Sequence, residues 1–201
     1  MKALRFTRQF LRHPRQLGTV VESGRRLARR MAKEIDGSSR VIELGPGTGA
    51  VTMEILKRLP EGGRLMCIEI NEEFCRCLRE IQDSRLEVVN GDAAQCERYV
   101  DGADCIVSGL PLALFGKREK ERILELCVRC GRYIQLQYTP VLGNEIRRYF
   151  ADVKLKFVPL NFPPAIVYVC KGARGDADRC RRDSGWRWAA ESMTGGIDHD
   201  L

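Results

Sequence analysis

Apolar positions follow two different periods along this chain. Up to about residue 35 they recur every three to four positions, the helical spacing. In a helix over residues 3–12, Ala3, Leu4, Phe6, Phe10 and Leu11 share one face, and Lys2, Arg5, Arg8 and Arg12 lie opposite. Pro14 and Gly18 then interrupt the pattern. Ser23 is placed to cap a second helix over residues 24–35. Its Leu27, Ala28, Met31, Ala32 and Ile35 form an apolar face, with Arg25, Arg26, Arg29, Arg30 and Lys33 on the other.

Beyond residue 39 the period changes. Short apolar runs at 40–44, 64–70, 85–90, 103–107 and 132–138 alternate with helical patterns at 50–59, 72–81, 117–130 and 143–150. Runs at 153–158 and 165–171 follow with no helix between them, and Pro159, Pro163 and Pro164 fill the link. Alternating strand and helix predicts an α/β fold whose seven strands are mostly parallel, with helices on both faces. The last two strands lack a crossover helix, so they are expected to pair antiparallel. The chain thus divides into basic amphipathic helices (1–36), an α/β domain (37–171) and a polar tail (172–201). In the tail, Trp186 and Trp188 stand among Arg179, Arg181, Arg182 and Arg187. That reads either as an interfacial anchor or as plain disorder.

Composition narrows the class. Hydrophobic residues make up 44% of 201, enough for a core, and no apolar run reaches the roughly 18–20 residues of a spanning helix. Arginines interrupt any signal-peptide core near the N-terminus. The net charge is +7, and residues 1–33 carry ten basic side chains against one acid, Glu22. The partner is therefore expected to be anionic, nucleic acid or an anionic membrane. Nine cysteines, an odd number scattered through apolar runs, point to a reduced compartment. Cys67, Cys105 and Cys170 read as small hydrophobes within strands. Cys127 and Cys130 form a lone CxxC with only His13 and His199 available elsewhere, which reads as a buried helix face; no metal is expected.

The chemistry concentrates at the carboxyl ends of the first four strands. Glu43-Leu-Gly45-Pro-Gly47-Thr-Gly49 closes one strand and opens a helix. Its glycines permit a sharp turn and close approach to a ligand. Glu69 ends the second strand, where an acid can accept from two ribose hydroxyls. Gly91-Asp92-Ala93 follows the third, placing a carboxylate for an adenine amine. Ser108-Gly109-Leu110-Pro111 follows the fourth. Open α/β sheets bind ligands at this edge.

The ordered set ELGPGTG, Glu69, GDA and SGLP resembles the class I S-adenosylmethionine-dependent methyltransferases over residues 40–171. The resemblance implies a Rossmann-like methyltransferase sheet and S-adenosylmethionine as cofactor. Glu43, Gly45, Gly47, Gly49, Glu69, Asp92, Ala93, Ser108 and Gly109 are its expected binding residues. Two families share this pattern. The ribosomal RNA adenine dimethyltransferases carry Asn-Leu-Pro-Tyr after the fourth strand, whose amide and ring hold the base. The segment Ser108–Leu112 lacks both, and the chain lacks those enzymes' extra helical domain. The bacterial phospholipid N-methyltransferases carry an SGLP segment like 108–111 and a QFTYGP-like segment similar to Gln135-Leu-Gln-Tyr138-Thr-Pro140. Residues 10–20 and 23–28 are similar too, with Glu22 and Gly24 departing from that family's Pro-Ser-Ser.

This second resemblance implies methylation of an aminophospholipid, phosphatidylethanolamine or a relative, by an enzyme peripheral to the cytoplasmic membrane face. A basic amphipathic helix over residues 3–12 suits anionic lipid, while the second helix packs on the sheet. RNA remains a second reading for the basic faces, as does a small soluble amine. A noncatalytic cofactor- or membrane-binding module is the third. Displacement at an activated sulfonium methyl needs alignment rather than a metal. Tyr138 and Ser108 are the catalytic candidates. Tyr138 either orients the amine or holds the methylated cation by cation–π contact, or only packs under the cofactor. Ser108 and the Gly109 backbone shape the acceptor side. Arg147 and Arg148 either meet a lipid phosphate or form a solvated surface.

Overall fold

The computed structural model describes residues 17–159 and 163–174. Seven strands form one sheet in the order β3-β2-β1-β4-β5-β7-β6. They are β1 (Arg40–Leu44), β2 (Arg64–Glu69), β3 (Leu86–Asn90), β4 (Cys105–Ser108), β5 (Arg132–Gln137), β6 (Phe150–Val158) and β7 (Ala165–Ala173). The first five run parallel. β7 inserts antiparallel between β5 and β6, as the absent crossover helix predicts. The order in which strands are added reverses at β1, with β2 on one side and β4 on the other. That reversal opens the crevice into which such sheets receive ligands.

The helices are α1 (Leu17–Ala32), α2 (Ala50–Leu56), α3 (Glu72–Arg79), α4 (Glu97–Val100), α5 (Lys117–Cys127) and α6 (Gly143–Tyr149). Strand alternation divides the core between the two faces of the sheet. On one face Val41, Cys67, Cys105 and Val107 pack against α1 and α2 through Leu27, Met31, Ile55 and Leu56. On the other, Ile42, Leu44 and Ile106 pack against α4, α5 and α6 through Val100, Ile123, Leu124 and Ile146. In α1 the apolar face is buried while Arg25, Arg26, Arg29 and Arg30 remain exposed, the arrangement expected of a packing helix.

Several boundaries differ from the expectation. α1 begins at Leu17, so Gly18 does not break it and Ser23 lies inside it rather than capping it. Leu17, Val20, Val21 and Gly24 continue the spacing of Leu27, Ala28 and Met31, so the apolar stripe starts a full two turns earlier. A glycine inside a helix costs only about 1 kcal/mol, too little by itself to end one. The helices α2, α3 and α5 stop two to three residues early, each fraying into a turn. α4 is too short, at four residues, for a period to reveal. β6 starts at Phe150, three residues before the expected strand. β4 ends on Ser108, which is therefore a strand residue and not part of the following loop. The helix expected at 3–12 and the tryptophan-containing tail lie outside the described residues.

Candidate cofactor and acceptor site

The turn from β1 into α2 is built on left-handed backbone. Gly45, Gly47 and Gly49 have φ of +67°, +56° and +81°. Side chains disfavour this region. At Gly45 a Cβ would also stand 2.6 Å from Leu110 Cδ2, whereas above Gly47 there is open space. The turn is therefore tight on the acceptor side and open where a ligand would lie against its backbone. Neighbouring turns extend the sheet's own hydrogen bonding. Gly45 N–H donates to Ile68 O (3.0 Å), Gly109 N–H to Leu44 O (3.0 Å) and Gly91 N–H to Glu69 O (3.0 Å). Four strand tips are thereby locked side by side.

Three carboxylates occupy these tips in different states. Glu69 is largely buried; its Oε2 accepts from Gly47 N–H (3.1 Å) and its Oε1 from Asn71 N–H (2.9 Å). A carboxylate has about four lone-pair positions, so both oxygens retain capacity for ligand hydroxyls. Asp92 Oδ1 accepts from Ala94 N–H (2.8 Å) and caps the short 3-10 turn Ala93–Gln95. Glu43 lies deeper, under the turn. Its Oε2 accepts from Thr52 Oγ1 (2.6 Å), and Cys67 Sγ stands 3.5 Å away as a second donor. Burial pushes its carboxyl up to about 7, against the lowering effect of those two hydrogen bonds. Thr52, which holds Glu43 from the first turn of α2, has no motif signature and was invisible to spacing arguments.

A polar network joins the ends of β4 and β5. Ser108 is fully buried, and its Oγ accepts from Leu110 N–H (3.3 Å). Gln135 and Gln137 project to the same face of β5 as Tyr133, since strand residues alternate. Gln135 Nε2 donates to Leu110 O (2.9 Å) and Leu136 O (2.6 Å), and Gln137 Nε2 donates to Leu110 O (3.1 Å). The Tyr133 hydroxyl donates to Gln135 Oε1. Burial holds that phenol far above its usual range, so it stays a donor. Both glutamines lie in the QFTYGP-like segment, which gave neither of them a role. The available signal was the polar alternation in Arg132–Gln137 (RYIQLQ), unusual for a central strand with both faces covered. Tyr138 follows directly and is 44% exposed.

Exposed apolar side chains collect beside this mouth. Leu114 lies after β4, and Val141, 67% exposed, lies after β5. Phe157 on β6 pairs with Ile166, which pairs with Gln137, so Phe157 sits at the same sheet edge. Arg147 and Arg148 are exposed at the end of α6. Away from the site, Cys127 and Cys130 are both buried, and Cys130 Sγ donates to Arg132 O (2.8 Å). Among the described residues no group of three His, Cys, Asp or Glu is arranged for a metal ion, and no helix is long and apolar enough to cross a membrane.

The open backbone of the glycine turn, with Glu69 and Asp92 at the adjoining tips, fits a nucleoside-bearing cofactor with a ribose and an adenine amine. Comparison with known proteins agrees. Residues 4–123 match the family model described as ribosomal RNA adenine dimethylase. An ornithine lipid N-methyltransferase of Singulisphaera acidiphila is 32% identical over 183 residues, covering 84% of this chain and 95% of that protein. A ribosomal RNA small subunit methyltransferase A of Thermotoga petrophila is 32% identical over 115 residues, 55% of this chain; the chain spans 42% of that longer protein. In fold, the chain matches the N-methyltransferase NodS of Bradyrhizobium japonicum with a TM-score of 0.65 at 12% identity, covering 79% of this chain and 99% of that one. With the glycine turn, the acidic strand tips and the seven-stranded order all in place, the chain belongs to the ribosomal RNA adenine dimethylase family of class I S-adenosylmethionine-dependent methyltransferases.

Proposed function

We propose that this methyltransferase acts on the amine of an aminolipid headgroup at an anionic membrane surface, on the cytoplasmic side. The observation that carries this reading is a set of exposed apolar side chains at the end of the sheet where β4 and β5 finish: Leu114, Tyr138 and Val141 follow those strands, and Phe157 is in register with Gln137 through Ile166. A nucleic-acid footprint is basic, whereas an enzyme reaching a headgroup must tolerate acyl chains and interfacial lipid at its entrance. Likeness to the ornithine lipid enzyme over most of both chains supports the same reading. The exposed arginines of α1, and Arg147 and Arg148, supply charge for lipid phosphates.

Glu43, the three turn glycines, Glu69, Asp92, Ala93 and Gly109 would hold the cofactor. When bound, it supplies an activated methyl: the amine lone pair forms the N–C bond, the C–S bond breaks with its pair on sulfur, and one N–H proton passes to solvent. Ser108 shapes the acceptor loop through Leu110 N–H. Tyr138 offers its ring to the amine and to the methylated cation.

The RNA reading has the family model behind it. Against it stands the missing amide and ring in Ser108–Leu112. The deciding experiment offers labelled S-adenosylmethionine together with phosphatidylethanolamine vesicles, ornithine-lipid vesicles or ribosomal RNA. Label is expected in lipid; label in RNA alone would end the lipid reading. Deleting residues 1–12 should reduce flotation with anionic liposomes, and undiminished flotation would rule that segment out as the main contact.

A further inference from the structure

Two groups that an amine-methylating site of the Asn-Leu-Pro-Tyr kind places after β4 are absent here, and an amide and a ring stand instead at the end of β5, as Gln137 and the following Tyr138. Leu110-Pro111 matches the Leu-Pro of that motif, so Gly109 stands where the amide would be and Leu112 where the ring would be. Leu112 is fully buried. At Gly109 a Cβ would lie 3.1 Å from Gly45 O, against the cofactor turn. The neighbouring strand carries an amide, Gln137, and a half-exposed ring, Tyr138. Ser108 pairs with Gln135, so Gln137 stands two residues further toward the ligand edge, about 7 Å along the strand.

The geometry around Gln137 is that of a fixed hydrogen-bond acceptor. Its side chain is only 3% exposed. The amide nitrogen is committed to Leu110 O at 3.1 Å. A carbonyl oxygen can only accept, so the amide must turn its NH2 toward Leu110 O and its Oε1 the other way. Among the described residues no hydrogen bond engages Gln137 Oε1. Nor is it among the described side-chain atoms that are sealed from solvent without a hydrogen bond. The oxygen is therefore not sealed from solvent at the carboxyl end of β5. Leu110 O, by contrast, is already saturated by Gln135, Gln137 and Leu112 N–H (2.8 Å). The same Leu110 lays its side chain against Gly45. One residue thus spaces the cofactor turn from the Gln137 amide.

We propose that Gln137 Oε1 accepts an N–H of the substrate amine and so turns that nitrogen's lone pair away from the amide. Gln135 and Tyr133 are positioning residues, holding Leu110 and through it Gln137. The assignment rests on the aminolipid reading above. Its consequence is specific to the methylation state of the acceptor. A primary or secondary amine has an N–H to donate while its lone pair attacks. A tertiary amine has none. Gln137 should therefore matter for the first and second methyl transfers and not for the third.

The test uses the full-length protein with Gln137→Leu, and Gln137→Met as a second variant of similar length. Acceptors are phosphatidylglycerol vesicles containing phosphatidylethanolamine, its N-methyl form or its N,N-dimethyl form. Loss of one hydrogen bond to a nitrogen gaining charge is expected to lower kcat/KM on the first two by about 10- to 100-fold. The dimethyl acceptor should change less than about threefold. S-adenosylhomocysteine affinity, measured by calorimetry, should stay within about twofold of wild type. Equal slowing on all three acceptors, or no slowing, overturns the assignment, since packing damage does not count N–H bonds. Wild-type enzyme inert on all three vesicles but active on RNA would instead remove the lipid reading on which it rests.

Discussion

Glu43 offers the sharpest check on the energetics of this site. Its carboxyl titrates near 7 in the folded protein, against about 4.5 when exposed, because burial disfavours the charge. A raised carboxyl pKa means that the folded state holds the extra proton between those two values. Stability therefore falls as pH rises through that window and levels off above 7. At 1.36 kcal/mol per pH unit the whole window is worth about 3 kcal/mol, of which about 2–3 kcal/mol falls between pH 5 and pH 8. Glu43→Gln keeps the shape and removes the titration. At pH 8 it spares the buried charge but weakens the bond from Thr52, by about 1 kcal/mol. It should then be more stable than wild type by about 1–2 kcal/mol. At pH 5, where wild type is largely protonated, the order should reverse or the two should be nearly equal.

Urea unfolding followed by circular dichroism at pH 5, 6, 7 and 8 measures this, provided m stays constant. A difference between the two proteins that is flat within about 0.5 kcal/mol across that range would refute the buried-charge account. Other carboxyls whose ionised form is favoured, such as Asp83 held near 2 by Arg85, titrate below this range and cancel in the comparison. The same variant also separates fold from ligand. Glu43→Gln should lower S-adenosylhomocysteine affinity about tenfold if the carboxylate serves the cofactor. Unchanged affinity would assign it to bracing α2 alone.

Glu69→Ala removes the acceptor for Gly47 N–H and should weaken S-adenosylhomocysteine binding at least about tenfold by calorimetry; unchanged affinity would mean that the carboxylate does not meet the ribose. Gly47→Ala meets open space and should cost only the strain of its +56° φ, about 1 kcal/mol in urea unfolding. Gly45→Ala adds contact with Leu110 Cδ2 and should cost more, with a larger loss of cofactor affinity; equal effects would show that Leu110 does not couple the two turns. Asp104→Asn disturbs a carboxylate that accepts from Ser39 N–H, Arg40 N–H and the Arg40 guanidinium. Burial alone would raise its pKa, but these bonds outweigh it and the net shift is downward. Its stabilisation, about 1–3 kcal/mol, is therefore present above the ordinary carboxylate range and fades as pH falls below it. Unfolding at pH 7 and pH 3 should show the variant's deficit narrowing in acid; a constant deficit would contradict it.

What could be read from the sequence was local. A turn such as ELGPGTG declares itself because its glycines answer a backbone need within seven residues. Glu69, Asp92 and Ser108 could be placed because each ends an apolar run, and the antiparallel ending followed from a missing helix. Long-range facts were hidden. The start of α1 was misplaced because Gly18 reads as a break and Ser23 as a cap, while the helix runs through both. Gln135 and Gln137 could not be interpreted without knowing that β5 pairs with β4, which brings them to Leu110 across more than twenty residues of chain. Nor could the sequence separate Glu43 from Glu69, two acids at neighbouring strand ends, one sealed against Thr52 and the other opening on the mouth.

That separation bears on how the acceptor is chosen. The cofactor side is made of backbone and carboxylates from β1, β2 and β3, and a family can keep it while changing substrates. The acceptor side is made of side chains from β4 and β5, and here it departs from the base-methylating pattern in a consistent way. Gly109 and Leu112 carry no hydrogen-bonding or stacking group, while Gln137 and Tyr138 carry both, one strand over, about 5 Å away. On the proposed reading the nitrogen is received nearer β5, toward the flank where Val141 and Phe157 are exposed. A flipped base would gain nothing from that flank, because its sugar and phosphates need donors and cations there. A headgroup tethered to a glycerol backbone would bring its acyl chains to that same edge. On that proposed reading, the amide and ring at the end of β5 and the apolar side chains exposed beside them answer one requirement, a small amine presented from a hydrophobic surface.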